Sequence, residues 1–314
     1  MIHCRLLCSL ASNPLDESVL FRVAVVIEKE GISQSAGHRH RKIGVCMSPK
    51  STLATEYAAG ALSKDTPEEF SRLQLLEAWG DPDTQAVLTA TGLQPSWRCL
   101  EIGAGAGSIA RWLAGQCTDG SVVAVDTDTR YLHGQQHDRL EWRTGDVREL
   151  DYAPGSFDLI HSRLTFCHLS DRESVVDLVV DWLAPGGWLV IGDPLCLPAE
   201  ASIHPPIRRF FGALETAWQA QGTDMSWAQT LPSQLARAGL RDISVLTRPN
   251  SLGEQGPYGQ LSIANIQQEG SYLVNHQLIE QADLDAVLAL CQDPGFMDIR
   301  SITVYAWGRK PADD

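Results

Sequence analysis

Three glycines at alternate positions, Gly103, Gly105 and Gly107, follow a short apolar run that carries an acid near its end, Cys99-Leu100-Glu101-Ile102. Apolar residues at helical spacing, Ile109, Ala110, Trp112 and Leu113, begin directly afterwards. That order reads as a buried strand, a tight turn and the start of a helix. Glycine suits the turn because it reaches unusual backbone dihedrals and has no Cβ to keep a ligand off the backbone. The helix start adds unpaired N–H groups and a partial positive charge. A ligand with an adenosine and a negatively charged end fits this turn. Further chemistry-bearing residues stand at the ends of later apolar runs: Asp126 with Thr127, Asp146 with Val147, His161, and Asp193. His168 lies in the segment Arg163-Leu164-Thr165-Phe166-Cys167-His168-Leu169.

The elements that position these residues are legible in the pattern. Thr66-Pro67-Glu68-Glu69 is a helix start with cap, proline and capping-box glutamate. Asp81-Pro82-Asp83 restarts a second helix that ends near Gly92. Strand and helix then alternate, as in a parallel sheet covered on both faces. Strands are expected at Arg98–Ile102, Ser121–Val125, Leu140–Arg143, Phe157–His161 and Trp188–Ile191. A capping box at Ser170–Glu173 opens a helix that Pro185-Gly186-Gly187 stops. Helices around Ile207–Gln219 and Leu231–Ala238 lead to a sixth strand, Ile243–Thr247. An apolar insert over about 250–297, with helical patterns at Ile263–Asn275 and Leu284–Leu290, precedes the last strand, Ile302–Trp307. It is too long for an idle loop. The insert reads as a lid or substrate-selecting element, with Tyr258, Gln260, Tyr272 and His276 as candidates, or as a stabilising or dimer-forming cap.

Composition bounds the rest. The chain has 314 residues, 44% of them hydrophobic, and a formal net charge of −14. A basic face is the usual mark of a nucleic-acid binder, so DNA or RNA is not the expected partner. No apolar run approaches the roughly 18–20 residues of a membrane span. The eight cysteines include no C-x-x-C pair, which reads as reduced thiols in a cytoplasmic protein. No metal-ligating box is visible. Residues 1–48 do not resemble the remainder of the chain; His38 and His40 lie in a basic polar tract there. The expectation is a poorly ordered leader, or an over-long start with Met47 as the true one, before a domain over 49–314.

In its motifs the chain resembles the class I S-adenosylmethionine-dependent methyltransferases, from about Thr66 to Pro311. It is most similar to the actinobacterial-type small-molecule branch. The resemblance rests on Leu100–Gly107, Val125-Asp126, Gly145-Asp146-Val147, Phe157–His161, Leu183-Ala184-Pro185-Gly186-Gly187 and the closing Ala306–Pro311, six motifs in order. It implies a Rossmann-like, doubly wound α/β sheet of seven strands, mostly parallel with the last antiparallel, and a helical insert before that last strand. It also implies S-adenosylmethionine as cofactor, a small-molecule acceptor, and methyl transfer to O or N. Gly103, Gly105 and Gly107 would let the methionine end approach the backbone, with helix N–H groups facing its carboxylate, and Glu101 would hold the ammonium. Asp126, with Thr127, would take the ribose hydroxyls. Asp146 would accept from the adenine amino group beside Val147. His161 would stand on the ligand rim, and Arg72 would reach the cofactor carboxylate or form a surface pair.

A nicotinamide dehydrogenase is the competing reading. Gly105-Ala106-Gly107-Ser108-Ile109-Ala110 also satisfies G-x-G-x-x-A, and Asp126 lies about 20 residues on. Glu101 opposes it, because an acid at the strand end repels a pyrophosphate and suits an ammonium. A cofactor-binding protein without turnover and an aminopropyl transferase are further alternatives. For a base the candidates are His168, Asp193, His161 and His204. Related sequences often read Glu-Asp where this one has Gly192-Asp193, which puts a family-based catalytic acid in doubt. A homodimer is one possible oligomeric state.

Overall fold

The computed structural model describes residues 60–132 and 138–312. The leader expected over 1–48, with His38, His40 and Met47, lies outside them. In chain order the elements are α1 (Glu69–Ala90), β1 (Arg98–Ile102), α2 (Ser108–Gln116), β2 (Ser121–Asp126), β3 (Leu140–Thr144), β4 (Phe157–Arg163) and α3 (Arg172–Trp182). They continue as β5 (Leu183–Cys196), α4 (Pro205–Ala220), α5 (Leu231–Arg237), β6 (Arg241–Leu252), α6 (Pro257–Asn275), α7 (Gln281–Gln292) and β7 (Asp298–Arg309).

The seven strands form one sheet in the order β3-β2-β1-β4-β5-β7-β6. The first five are parallel, and β7 runs antiparallel to both β5 and β6. This is the doubly wound arrangement expected. The interior strand β1 is buried from Cys99 to Ile102, as a strand covered on both faces must be. One apolar cluster packs α3 and α5 on one face, through residues such as Ile160, Val179, Leu189 and Leu235. A second packs α1 and α2 on the other, through Leu88, Leu113, Leu159 and Val190. A third cluster belongs to α4, α6 and α7, with Phe210, Ile266, Leu273 and Val287 at its centre. Among the described residues no helix is long and apolar enough to cross a membrane.

Two departures from the sequence reading bear on the site. The two helices expected on either side of Pro82 are one, α1, with the proline inside it. Proline removes an N–H and normally breaks or kinks a helix. Here other bonds cluster around it: within the helix Thr84 Oγ1 donates to Gly80 O at 2.9 Å, and from β4 Arg163 donates to Thr84 Oγ1 and Asp81 Oδ1. The other departure is length. β5, β6 and β7 run well past their expected ends, because antiparallel pairing continues from Asp193↔Val304 to Cys196↔Ser301 and from Arg248↔Thr303 to Leu252↔Asp298. Those extensions carry Asn250 and Ser301, so they lack the apolar alternation that marks a strand.

Gly192 has a steric reason. A Cβ there would stand 2.6 Å from Tyr305 Cε1. The ring lies where a side chain at 192 would go, and its hydroxyl reaches Thr84 Oγ1 at 3.2 Å and Gly80 O at 3.4 Å. The glycine therefore lets β7 tie the sheet to α1. Gly192→Ala should cost about 1–3 kcal/mol by overpacking, whereas Tyr305→Phe, losing only hydrogen bonds, should cost about 0.5–1.5 kcal/mol. Urea unfolding of the two variants checks the order.

Candidate active site

Parallel pairing sets Glu101 of β1 opposite His161 of β4. His161 Nδ1 and Glu101 Oε2 are 2.6 Å apart. Among the described residues His161 Nε2, fully buried, has no hydrogen-bond partner. An Nδ1–H that donates to the carboxylate is the arrangement that satisfies both groups. His161 is thus beneath Glu101 and not on the ligand rim: it fixes the acid, and Glu101 lines the cavity.

That cavity has a volume of about 260 Å³ and starts at the glycine turn. Gly103 and Gly105 line it with positive φ, +75° and +60°. A Cβ on Gly105 would meet only Leu73 Cδ2, at 3.8 Å, so its open side faces the cavity. Gly107 does not face it. At φ +91°, a Cβ there would strike Trp142 at 2.7 Å and Leu132 at 2.8 Å, so the third glycine serves packing. The N-terminus of α2 also differs from expectation: Ser108 N donates to Glu77 Oε1 at 3.1 Å. The protein's own carboxylate occupies that N–H. Burial and Asp81 push the Glu77 carboxyl up, against Arg111 and the Ser108 bonds.

Asp126 ends β2 at the cavity with Thr127 beside it. Its Oδ2 accepts from Gly105 N at 2.8 Å, and its Oδ1 accepts from Asp128 N and from Lys64 Nζ, each at 3.0 Å. Lys64 Nζ also donates to the carbonyls of Gly105 and Asp128. The Lys64 strap is itself fastened, since its carbonyl accepts from Arg130 Nη1 and Tyr131 OH, and Gln268 Nε2 donates to Ala61 O. Val147 and Gly145 line the cavity but Asp146 does not. Its carboxylate caps the turn Val147–Glu149 and is held by Arg148 Nε and Nη2 at 2.6–3.1 Å. Arg148, two places on, thus engages both carboxylate oxygens, and the structure shows Asp146 in a protein contact behind the cavity wall.

Asp193 is corrected too. It is fully buried and outside the cavity. Its carboxylate accepts from Thr165 N at 3.2 Å, Cys167 N at 2.8 Å and Trp227 Nε1 at 2.7 Å. Burial pushes it up to about 7 against those bonds. It holds the loop after β4, in which Leu164 adopts φ +55° and Leu164 N donates to Gly192 O. His168 on that loop does line the cavity, with Nδ1 3.2 Å from Thr223 Oγ1. Burial, Arg72 and Arg172 pull it down to about 4, which makes it a poor proton acceptor. His204 is the cap of α4, edge-on to Phe296, and is not in the cavity.

The far half of the cavity is roofed by α6 and walled by Trp79, Phe211, Trp218 and Leu261, with Cys196, Asn250, Arg300, Ser301 and Thr303 below. Of the four insert residues singled out, Tyr258 lines it; Gln260 and His276 do not, and Tyr272 borders a small adjoining recess. Arg72 is buried rather than on the surface. It forks onto Glu69 at 2.7–2.8 Å, and Nη1 reaches Asn265 Oδ1. Glu269 and Lys64 escaped the sequence reading. Glu269 did carry a signal, because it falls on the helical stripe Ser262, Ile266, Leu273 that α6 buries. Lys64 carried none, being set by a long-range contact.

Residues 100–191 match the model of a family described as methyltransferase domain. Methyltransferase str2 of Strobilurus tenacellus is 30% identical over 170 residues, which are 52% of this chain and 62% of that protein. Methyltransferase GfsG of Streptomyces halstedii is 29% identical over 191 residues, 58% of this chain and 68% of that one. A structure of Haemonchus contortus phosphoethanolamine N-methyltransferase 2, in complex with phosphomonomethylethanolamine and S-adenosylhomocysteine, superposes with a TM-score of 0.57. It is 16% identical and covers 84% of this chain and 61% of that one. Residues 100–191 thus resemble a methyltransferase domain, and the match to str2 spans under two thirds of that relative.

Asp193→Ala leaves the N–H groups of Thr165, Cys167 and Trp227 without their acceptor. At about 1–3 kcal/mol per buried orphan, it should lower unfolding free energy by several kcal/mol, read by urea denaturation. The wild-type pH dependence has a definite sign. Asp193 and Glu269 are held near 7, above ordinary values of 3.8 and 4.5. Their contribution is complete below those ordinary values and lost as pH rises through about 7. Melting temperature should therefore fall between pH 5 and 8, and fall less in Glu269→Gln.

Proposed function

We propose that this methyltransferase domain moves a methyl group from S-adenosylmethionine to an oxygen or nitrogen of a small-molecule acceptor, in the cytoplasm. One observation carries the reading: a single cavity runs from Glu101, Gly103, Gly105 and Asp126 to an apolar chamber under α6. A site with an acid-backed glycine cradle at one end and an enclosed chamber at the other suits two ligands meeting head to head.

The residues fit the cofactor by their chemistry. Glu101, oriented by His161, is the partner for an ammonium. Gly105 admits the methionine backbone where a side chain would stand. Asp126 offers matched acceptors for a diol, once Lys64 leaves its Oδ1. Gly145 and Val147 give the adenine a small, apolar edge. The bound sulfonium would supply the electrophilic methyl. The protein supplies alignment and exclusion of water. The loop Leu164–His168, clamped by Asp193, walls the junction of the two halves, and the aromatic chamber keeps the acceptor dry. Glu101 also argues against a nicotinamide dinucleotide, whose pyrophosphate it would repel. The relatives support the class. The two curated ones are methyltransferases by name, and the solved neighbour holds S-adenosylhomocysteine.

A ligand that binds the folded state raises its melting temperature. S-adenosylhomocysteine should do so and NAD should not; the reverse sinks the proposal. Asp126→Ala should weaken S-adenosylhomocysteine at least about tenfold, the worth of one charge-assisted bond. Lys64→Met should strengthen it several-fold, because no ion pair must then be broken at Asp126. Calorimetric titration of both variants reads the two signs.

A further inference from the structure

The acceptor half of the cavity holds an acid that no ion pair accounts for. Glu269 on α6 is 6% exposed and lines the chamber. Its neighbours on the buried stripe, Ile266 and Leu273, are apolar. Among the described residues no salt bridge uses it. Arg72 is paired with Glu69, Arg163 with Asp81, and Arg300 with Glu215. Arg72 and the Trp218 indole both favour its charged form, against burial.

We propose that Glu269 is the proton acceptor for a phenolic or enolic hydroxyl carried on an uncharged, largely apolar acceptor. The inference rests on the methyl-transfer reading above and names its substrate class. An anionic acceptor would meet Glu269 with the cavity arginines already paired. A cationic amine would lock Glu269 in an ion pair and must itself lose a proton before it can attack. A neutral hydroxyl does neither: it donates to the carboxylate, and its skeleton lies against Trp79, Phe211, Trp218 and Leu261. In the step, the O–H bond breaks and its proton passes to a Glu269 carboxylate oxygen. The hydroxyl oxygen's electron pair forms the new C–O bond, and the S–C bond breaks with its pair left on sulfur. Carboxylate and sulfonium charges vanish together.

The surrounding groups leave Glu269 alone to titrate near neutrality. Burial pushes it up to about 7, opposed by Arg72 and Trp218 and assisted by Glu69. From the loop after β4, His168 is held down at about 4; from β5, the Cys196 thiol is pushed up to about 11; Tyr258 of α6 is at about 12. A base near 7 is matched to a phenol or enol and poorly to an aliphatic alcohol.

The test uses the full chain and three probes on one ring system: 2-naphthol, 2-naphthylmethylamine and 2-naphthoate. S-adenosylhomocysteine melting shifts on wild type, Glu269→Gln and Glu269→Asp come first. Equal shifts establish that the variants are folded and cofactor-competent. No shift in the wild type removes the methyl-transfer reading and this inference with it. With the shift present, 2-naphthol should bind the S-adenosylhomocysteine-loaded protein more tightly than the other two and take labelled methyl from S-adenosylmethionine. Glu269→Gln should lower kcat at least a hundredfold with KM within threefold, and Glu269→Asp should keep part of the rate. The wild-type kcat should rise with pH through about 7, and Glu269→Gln should lose that inflection. Tighter binding of the amine or the carboxylate, or no naphthol binding at all, overturns the acceptor class. An unchanged kcat and pH profile in Glu269→Gln overturns the base.

Discussion

The cavity depends on one buried carboxylate that never touches it. Asp193 gathers the N–H groups of Thr165, Cys167 and Trp227, and so binds the end of β5 to the loop after β4 and to the segment that precedes α5. A buried charge is costly unless its hydrogen bonds are made, and here they are made by a loop that would otherwise leave its own N–H groups buried and unpaired. Each side supplies what the other lacks. The loop then stands where it can wall the junction between glycine turn and chamber: a Cβ on Gly103 would collide with Thr165, so the two segments meet at the closest approach a backbone permits.

α1 transmits this order to the roof. Its first turn carries the buried Glu69–Arg72 pair, and both members reach α6, through Gln268 and Asn265. Trp79 packs at a tilt against Tyr258, ring centres 5.4 Å apart, farther along. Its middle is tied to the sheet by Arg163 and Tyr305. One helix thus touches the cofactor half at Leu73 and Glu77 and the acceptor half at Arg72 and Trp79. Its passage through Pro82 follows from that double duty, because the surrounding contacts outweigh the missing N–H.

The sheet was legible in the sequence because strand and helix periods alternate cleanly, and the turn Glu101–Gly105 because glycine spacing and an acid have few other uses. Asp126 was legible for the same reason. Asp146, His161 and Asp193 occupy the right positions, yet their side chains point to protein partners. The pattern gives a residue's place on a strand, whereas Arg148, Glu101 and Trp227 decide what it touches. Gly107 shows the same limit in reverse, since its space is required by Trp142 and Leu132. The strand extensions and Glu269 were hidden by polarity: residues lining a cavity alternate differently from residues lining a core.

The roof packs around an apolar cluster of its own, from Phe210 and Ile266 to Leu273 and Val287, apart from the two that sandwich the sheet. Proteins open in cooperative pieces, and a piece with its own core comes away whole. Such a unit is also separable over evolutionary time. Its cluster shares no residue with the glycine turn or β2, so the shape of the chamber can drift from one descendant to another while the cradle below is inherited unchanged.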